Sequence, residues 1–386
     1  MTRRIISILT LSLPLLISGC FLWGDDQQMD EDLDISAEKA AANALKPKKE
    51  IIHWQKFFKA PPTAKQMSLL QSKAKKWPST NDPRQLTEKA RTEMIVGEMD
   101  AAEATFRKLI RIEPHNLMAH VELAQLYLKT NNLERCFSYL RRSKELLADQ
   151  EANKKEEVFQ YRYTLALALI RQNNIKKGYT ILSELISKDK TFAPAYAALA
   201  SSYFNRGKVE VAEFIAKRGL DRGKEDPRLT NLLGVISFHK GHIVEAKRWY
   251  DRALKQSPNF VPALTNRGNL SIFRGEYESA DLDLRLAIKL NPSRSEAYII
   301  LGILQQKKGQ YQQARGSYLK AIDLDPENGF ARYNLGLLEA EAFQNKGEAL
   351  RLFNEVLQVR QAENQLRDLA KLNIEQLQEN RVEYQQ

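Results

Sequence analysis

Residues 231–258 read NLLGVISFHKGHIVEAKRWYDRALKQSP, residues 265–292 read TNRGNLSIFRGEYESADLDLRLAIKLNP, and residues 299–326 read IILGILQQKKGQYQQARGSYLKAIDLDP. Aligned without gaps, the three stretches agree in six columns, and each step along a column is 34 residues. The columns hold small residues, one large apolar residue and a proline: Gly234, Gly268 and Gly302; Gly241, Gly275 and Gly309; Ala246, Ala280 and Ala314; Tyr250, Leu284 and Tyr318; Ala253, Ala287 and Ala321; Pro258, Pro292 and Pro326. A fixed period of this length indicates a solenoid built from one repeated supersecondary unit.

The spacing within one period predicts two helices joined by a turn. In the first stretch we expect helix A from about Asn231 to Lys240 and helix B from about Val244 to Gln256. Gly234 and Ala246 are expected where the two helices cross, because larger side chains would push the backbones apart. Gly241 lies between the helices, where a turn needs a residue that tolerates a positive φ. Such a helix pair cannot bury its apolar face alone, so neighbouring pairs must stack.

The same register extends in both directions and predicts eight repeats over residues 83–362, with an insert at 151–158. Cys136 falls in a small-residue column and is predicted to be a buried space-filler. Residues 363–386 show apolar side chains at helical spacing among polar ones, which predicts a helix that caps the end of the array.

This period and pattern resemble the tetratricopeptide (TPR) repeat over about 280 residues. The resemblance implies an all-α solenoid, a right-handed superhelix of about eight helix-turn-helix repeats with a C-terminal capping helix. TPR arrays are platforms for other proteins, and the fold does not by itself decide the partner.

The composition is that of a chain with a large core that is not embedded throughout in a membrane. Of 386 residues, 43% are hydrophobic and 28% are charged, and the formal charge of +11 by itself suggests an acidic partner or surface. Cys20 and Cys136 are the two cysteines, so a disulfide framework is excluded.

The first 19 residues have the order of a bacterial export signal. Two arginines precede a short apolar run, Ile5 to Ile17, and the run ends in Leu-Ile-Ser-Gly-Cys at 16–20. This ending resembles the lipobox of bacterial lipoproteins, which implies cleavage before Cys20 and acylation of its thiol. Residues 20–50 then predict a flexible tether, because they are polar and rich in charge.

The residue after the cysteine bears on location. In two-membrane bacteria an aspartate there retains lipoproteins in the inner membrane, so Phe21 resembles an outer-membrane lipoprotein facing the periplasm. In an organism with one membrane, the same signal implies the outer face of the cytoplasmic membrane.

Residues 51–82 are too apolar at their start for a linker. Ile51, Trp54, Phe57 and Phe58 precede a proline pair and a predicted helix from Ala64 to Lys76. This N-terminal docking segment is expected to pack against the first repeat or to complete a partial one. It can equally lie on the membrane, occupy the groove of its own solenoid or recruit a partner.

The motifs of enzymes and metal sites are missing from the sequence. His239 and His242 are three residues apart, but no cysteine or carboxylate cluster completes a ligand set, so surface histidines are expected. There is no phosphate-binding loop or nucleophile elbow, and Asp251 and Asp283 fit a solvated helix-B face. We therefore expect no enzyme, no cofactor, no metal and, since the positive charge is spread among carboxylates, no nucleic-acid partner.

The TPR resemblance implies a working surface on the concave face, lined by helix-A positions 2, 5, 9, 12 and 13. Carried onto this register, these positions form an apolar and aromatic groove with interspersed asparagines: Tyr163, Leu167, Phe204, Asn231, Val235, Phe238, Asn269, Phe273, Ile299, Ile303, Tyr333 and Leu337. Such a groove suits an extended peptide or an amphipathic helix. Phe238 and Phe273 fit packing between repeats equally well.

Together these features predict a lipid-anchored scaffold that mediates protein–protein interactions in assembly of a cell-envelope machine. It resembles the TPR lipoproteins of pilus secretin assembly and of gliding-motility complexes, which favours motility, pilus or secretion. The alternatives are an adaptor for peptidoglycan hydrolases or proteases and a direct binder of an anionic envelope polymer.

Overall fold

The computed structural model describes residues 69–382, apart from positions 71, 75, 78, 149–154, 224 and 360–363. Within these residues the regular structure is helical, and from Pro83 onwards seventeen helices follow one another: α1 (Pro83–Val96), α2 (Met99–Ile112), α3 (Leu117–Lys129), α4 (Leu133–Ala148), α5 (Lys155–Arg171), α6 (Ile175–Lys188), α7 (Ala193–Asn205), α8 (Val209–Arg222), α9 (Pro227–His239), α10 (Ile243–Gln256), α11 (Val261–Phe273), α12 (Tyr277–Leu290), α13 (Ser295–Lys307), α14 (Tyr311–Leu324), α15 (Gly329–Glu341), α16 (Lys346–Gln358) and α17 (Asn364–Val382). The predicted all-α repeat fold is confirmed, with eight helix pairs and one final helix.

The described residues divide into two compact units. The first unit comprises residues 69–233 with 256–258, and the second comprises residues 234–255 with 259–382. In the first unit, Ala90, Phe106, Leu123 and Cys136 belong to one buried cluster. In the second unit, the clusters are built around the large column residues and the final helix.

The alanine columns behave as the spacing predicts. Ala246, Ala253, Ala280, Ala287 and their counterparts in the next repeat have no exposed surface. The residue that Gly234 of helix A contacts, however, differs from the prediction. A Cβ placed on Gly234 would lie 2.5 Å from the Tyr250 ring, so the glycine accommodates the large column residue rather than Ala246.

Each helix pair is joined by one residue in the left-handed region. The glycines predicted for this role, Gly241, Gly275 and Gly309, have φ values of 77°, 77° and 72°. The remaining pairs place Gly97, Asn131, Asn173, Gly207 and Gln344 at the same point, with φ between 53° and 93°. The turn is therefore a common feature of all eight pairs, including those whose sequence lacks the glycine.

Replacing Gly275 by alanine is expected to lower the free energy of unfolding by about 1 kcal/mol, because a Cβ disfavours positive φ. Open space surrounds this position, so the effect isolates backbone strain. Gly316 is the matched control, since it lies within α14 with open space around its Cα. Gly316→Ala is expected to raise the free energy of unfolding by about 0.5 to 1 kcal/mol, because alanine favours a helix interior. Denaturant titration followed by circular dichroism measures both, and a shift of the same sign in both variants would contradict the assignment.

Several helix boundaries differ from the predicted ones. Helix A of the fifth repeat begins at Pro227, four residues before the predicted Asn231, because proline is favourable in the first helical turn. Residues 155–158 of the insert belong to α5, so this part of the insert extends helix A of the third repeat. Of the predicted helix at 64–76, positions 69, 70 and 72–74 are helical, while residues before 69 lie outside the described residues.

The final helix, α17, covers the last repeat. Leu366, Ala370 and Leu377 pack in one buried cluster with Phe353 and Val356 of α16. Exposed polar residues lie on the other side of α17, as a terminal helix requires. The predicted capping helix is therefore confirmed at Asn364–Val382.

Candidate partner-binding surface

The predicted groove residues differ widely in exposure. In the first unit, Tyr163 and Leu167 are half-buried, whereas Phe204 and Asn231 are buried. In the second unit, seven of the eight are buried, and they are Val235, Phe238, Asn269, Ile299, Ile303, Tyr333 and Leu337. The eighth, Phe273, is 53% exposed.

Four of the predicted contacts are core residues instead. Ile299 and Ile303 belong to the cluster around Tyr318. Tyr333 and Leu337 belong to the cluster that α17 closes, and the Tyr333 hydroxyl accepts a 2.7 Å hydrogen bond from Asn373 Nδ2. The position in helix A is as predicted, but the capping helix and the neighbouring repeat cover these side chains. As a whole, the groove stays a prediction, and these four are corrected to core positions.

Phe273 is the most exposed residue of the predicted set, and its ring contacts that of Phe238. Their ring centroids lie 5.7 Å apart with an interplanar angle of 79°, an edge-to-face arrangement that aromatic pairs favour. Phe238 is buried, and Phe273 packs against it while about half of Phe273 is exposed to solvent. The two readings left open by the sequence therefore both apply, because this pair packs between repeats and also offers an apolar surface.

Asn269 lies one helical turn before Phe273 on α11, so the two side chains share a helix face. Asn269 is 3% exposed, and its Oδ1 atom has no hydrogen-bond partner among the described residues. A buried acceptor without a donor costs about 1 to 3 kcal/mol, so this oxygen favours a ligand that brings an N–H group. We call Phe238, Asn269 and Phe273 the Phe273 surface.

An arginine of the same helix holds three helices together. Arg267 of α11 donates to Asp251 Oδ1 of α10 at 2.8 Å, and to both carboxylate oxygens of Asp283 of α12 at 2.7 Å. The hydrogen bonds with Asp283 are the main reason that the pKa of Arg267 is raised. Although burial opposes ionisation of Asp251, hydrogen bonds from Lys247 and Arg267 hold the pKa of Asp251 below its usual value.

This network corrects the expectation that Asp283 lies on a solvated face. Asp283 is buried, and the planar guanidinium of Arg267 pairs with it through two parallel hydrogen bonds. The sequence contained a signal, since an arginine in helix A falls 16 residues from an aspartate in each flanking helix B. Because Arg267 precedes Asn269 by two residues, the network also fixes the helix that carries the Phe273 surface.

Reactive groups give no support to catalysis within the described residues. Cys136 is fully buried, and burial raises the pKa of its thiol to about 12. His239 and His242 are exposed, as predicted. The described part of the chain holds no cluster of three or more histidine, cysteine or acidic residues that could bind a metal ion.

The N-terminal features lie beyond what the structure describes. Cys20 and the docking segment with Ile51, Trp54, Phe57 and Phe58 fall among residues 1–68. For the helices from residue 69 onwards, none combines the length and the apolar character needed to cross a membrane.

Comparisons with known proteins agree with this architecture. Family models described as tetratricopeptide repeat match residues 197–259, 261–294 and 295–328. An uncharacterized protein of Pyropia yezoensis, ycf37, is 33% identical over 85 residues, which are 21% of this chain and 48% of that protein. The matched part thus spans about half the length of this relative.

One solved structure shows the same fold at low sequence identity, and a second is similar over part of the chain. A chain of the APC/C hetero-tetramer Cut9-Hcn1 is 17% identical with a TM-score of 0.58, over 80% of this chain and 59% of that chain. A tetratricopeptide repeat protein from Parabacteroides merdae is 15% identical with a TM-score of 0.45, over 67% of this chain and 99% of that chain. The repeat period, the helix pairs, the left-handed turns and the family matches lead to one conclusion: residues 197–328 carry tetratricopeptide repeats, within a described chain that has an all-α repeat fold.

Proposed function

We propose that the protein is a scaffold whose second unit binds a segment of another protein at the Phe273 surface. The observation that carries this proposal is an exposed aromatic ring one turn from a buried acceptor without a donor. Tetratricopeptide repeats bind protein partners, and aromatic side chains commonly anchor such interfaces. The partner segment is expected to be an extended peptide or a helix with an apolar anchor for Phe273 and an N–H group for Asn269.

Phe273→Ala is expected to weaken partner binding about 30-fold, because loss of a central aromatic anchor costs about 2 kcal/mol. Crosslinking in the native cell followed by pull-down identifies the partner, and titration with the purified partner measures the affinity. Leu282→Ala is the matched control, since Leu282 is 71% exposed on α12, the other helix of the same repeat. Equal loss in both variants, or full binding by Phe273→Ala, would count against the surface.

A second substitution separates binding from folding at the same surface. Asn269→Leu removes the buried acceptor, so the free energy of unfolding is expected to stay the same or rise. Partner binding is nevertheless expected to fall, because the hydrogen bond from the partner is lost. A variant that unfolds more easily and binds normally would show that Asn269 is structural.

We further propose that the scaffold is tethered to the outer membrane, facing the periplasm, through acylated Cys20. The order of residues 1–20 supports this, and two or more acyl chains suffice for stable anchoring. In an organism with one membrane, the outer face of that membrane is the expected location. Cys20→Ser is expected to move the full chain from the membrane fraction to the soluble fraction, as followed by immunoblotting. Equal membrane retention of wild type and Cys20→Ser would contradict acyl anchoring.

The machine that this scaffold serves is proposed to be a motility, pilus or secretion complex of the cell envelope. The resemblance of the repeats and the export signal to lipoproteins of such complexes supports this choice. Envelope-machine subunits that depend on Phe273 in the pull-down are the expected result. Cell-wall hydrolases or proteases in their place would favour the adaptor function instead.

A further inference from the structure

His120 ties the start of α3 to the loop that joins α2 to α3. The residue is 5% exposed, and its Nε2 atom lies 3.0 Å from the Pro114 carbonyl oxygen. Because a carbonyl oxygen only accepts hydrogen bonds, Nε2 carries the hydrogen and donates it. In the same turn, the side chain of the N-cap residue Asn116 accepts a hydrogen bond from the Ala119 amide at 3.0 Å. Side-chain hydrogen bonds of His120 and Asn116 therefore hold the entry to the second helix pair.

The other ring nitrogen of His120 is buried, and it has no hydrogen-bond partner among the described residues. The neutral ring, which carries its hydrogen on Nε2, leaves this Nδ1 atom as an unused acceptor. Protonation places a second N–H group and a full positive charge at the buried atom. A buried charge without a counter-charge costs more free energy than a buried neutral polar group, so the site disfavours the protonated ring.

The ring of His120 also contacts a row of aromatic side chains between α3 and α4. Its centroid lies 5.9 Å from that of Tyr139 on α4, and the Tyr139 ring stacks on Tyr127 of α3 with a centroid distance of 5.5 Å. The guanidinium carbon of Arg135 on α4 lies 5.6 Å from the centroid of the Tyr127 ring. The position of His120 is thus coupled to the packing of α3 against α4.

The charged groups that act on His120 are cations. Burial lowers the pKa of His120 most, and the positive charges of Arg142 on α4 and His115 in the loop lower it further. The hydrogen bond to the Pro114 carbonyl acts in the opposite direction and is outweighed. The surroundings on the loop and on α4 therefore both oppose a positive charge on the ring.

Four carboxylates of the elements around His120 already have partners. They are Glu103 of α2 with Arg107 at 2.9 Å, Glu113 of the loop with Asn116 at 2.7 Å, Glu122 of α3 with Arg91 at 2.8 Å, and Glu145 of α4 with Arg142 at 2.8 Å. A counter-charge for a protonated His120 would have to be taken from one of these pairs. Such an exchange would itself disturb the helices that hold the histidine.

We propose that His120 is an acid-sensitive switch, whose protonation loosens α3 from α4 and from the preceding loop. A charged ring is stabilised by moving towards water, which draws it away from Tyr139 and Pro114. Because the fold lowers the pKa of His120 below its ordinary value of 6.5, the stabilisation is complete above that pH and is lost as the pH falls below it. This switch lies in the first unit and does not depend on the Phe273 surface.

The test measures hydrogen exchange of the α3 and α4 amides in the full chain at pH 7.5 and 5.5, corrected for the intrinsic pH dependence of exchange. Protection is expected to fall by about tenfold at pH 5.5, because one pH unit below the ordinary value limits the loss to about that factor. His120→Gln keeps a neutral N–H donor at both pH values, so equal protection is expected. His242→Gln removes an exposed histidine of the second unit and is expected to keep the loss.

A second measurement needs no variant. The ring resonance of His120, identified in the nuclear magnetic resonance spectrum by its contact with the Tyr139 ring, is expected to titrate with a midpoint below 6.5. A midpoint at or above 6.5, unchanged protection of the wild type at pH 5.5, or the same loss of protection in His120→Gln would overturn the proposal.

Discussion

Replacing Arg267 with leucine is expected to lower the free energy of unfolding of the second unit by about 3 kcal/mol. The substitution removes two hydrogen bonds from Asp283 and one from Asp251. Asp251 is partly exposed and keeps its pair with Lys247 at 2.7 Å, so its loss is small. Asp283 is left as a buried carboxylate without its cation, and this uncompensated charge is the main cost.

Two further variants test that reason. Arg285→Leu removes an arginine from α12 whose side chain is 69% exposed and pairs with Asp281, so an effect below about 0.5 kcal/mol is expected. Arg267→Leu combined with Asp283→Leu removes both buried charges and is expected to recover much of the lost stability. Denaturant titration with hydrogen-exchange protection of α10 to α12 measures the effect. Similar destabilisation by Arg267→Leu and Arg285→Leu would contradict the buried-charge explanation.

Gly302→Ala is expected to lower the free energy of unfolding by about 3 kcal/mol, although alanine favours a helix interior. The new Cβ would lie 2.5 Å from Tyr318 Cε1 and 2.7 Å from Cδ1. Tyr318 is fully buried, and its hydroxyl donates to Gln306 Oε1 at 3.0 Å, so the ring has little freedom to move away. Either α13 and α14 separate or the ring leaves its favoured rotamer, and both outcomes cost packing energy.

The neighbouring repeat supplies the matched control for Gly302. A Cβ on Gly268 would lie 3.0 Å from Leu284 Cγ, and a leucine side chain adjusts more easily than a ring. We therefore expect Gly268→Ala to cost about 1 kcal/mol, and Gly302→Ala combined with Tyr318→Leu to be more stable than the sum of the single changes. Thermal and denaturant unfolding measure this coupling. Strictly additive effects would show that the clash with Tyr318 is not the cause.

The predictable part of the fold rests on short-range patterns. The 34-residue period, the alanine columns and the glycine turns each depend on neighbours within one repeat, so spacing alone identifies them. The left-handed turn is also kept in the repeats that have no glycine at this position, where the residues are Asn131, Asn173 and Gln344. The position of a residue within the 34-residue period therefore indicates the turn even where the residue is not glycine.

The sequence could not predict which of the groove residues are exposed to solvent. Tyr333 and Phe273 are both aromatic residues of helix A, yet one lies under the capping helix and the other faces solvent. The difference depends on what the next element covers, and a periodic pattern describes a repeat without its neighbours. The same holds for Gly234, whose contact is the large residue of helix B rather than the alanine.

The sequence by itself therefore determined the repeat architecture, its turns, its buried small residues and the burial of Cys136. Tertiary structure alone decided which groove residues are accessible and that Arg267 and Asp283 form a buried pair. The physical reason is the difference in distance along the chain between the residues that interact. Backbone preferences and small-residue spacing act within one helix pair, whereas burial, charge pairing and unpaired polar atoms arise only when separate helices are packed together.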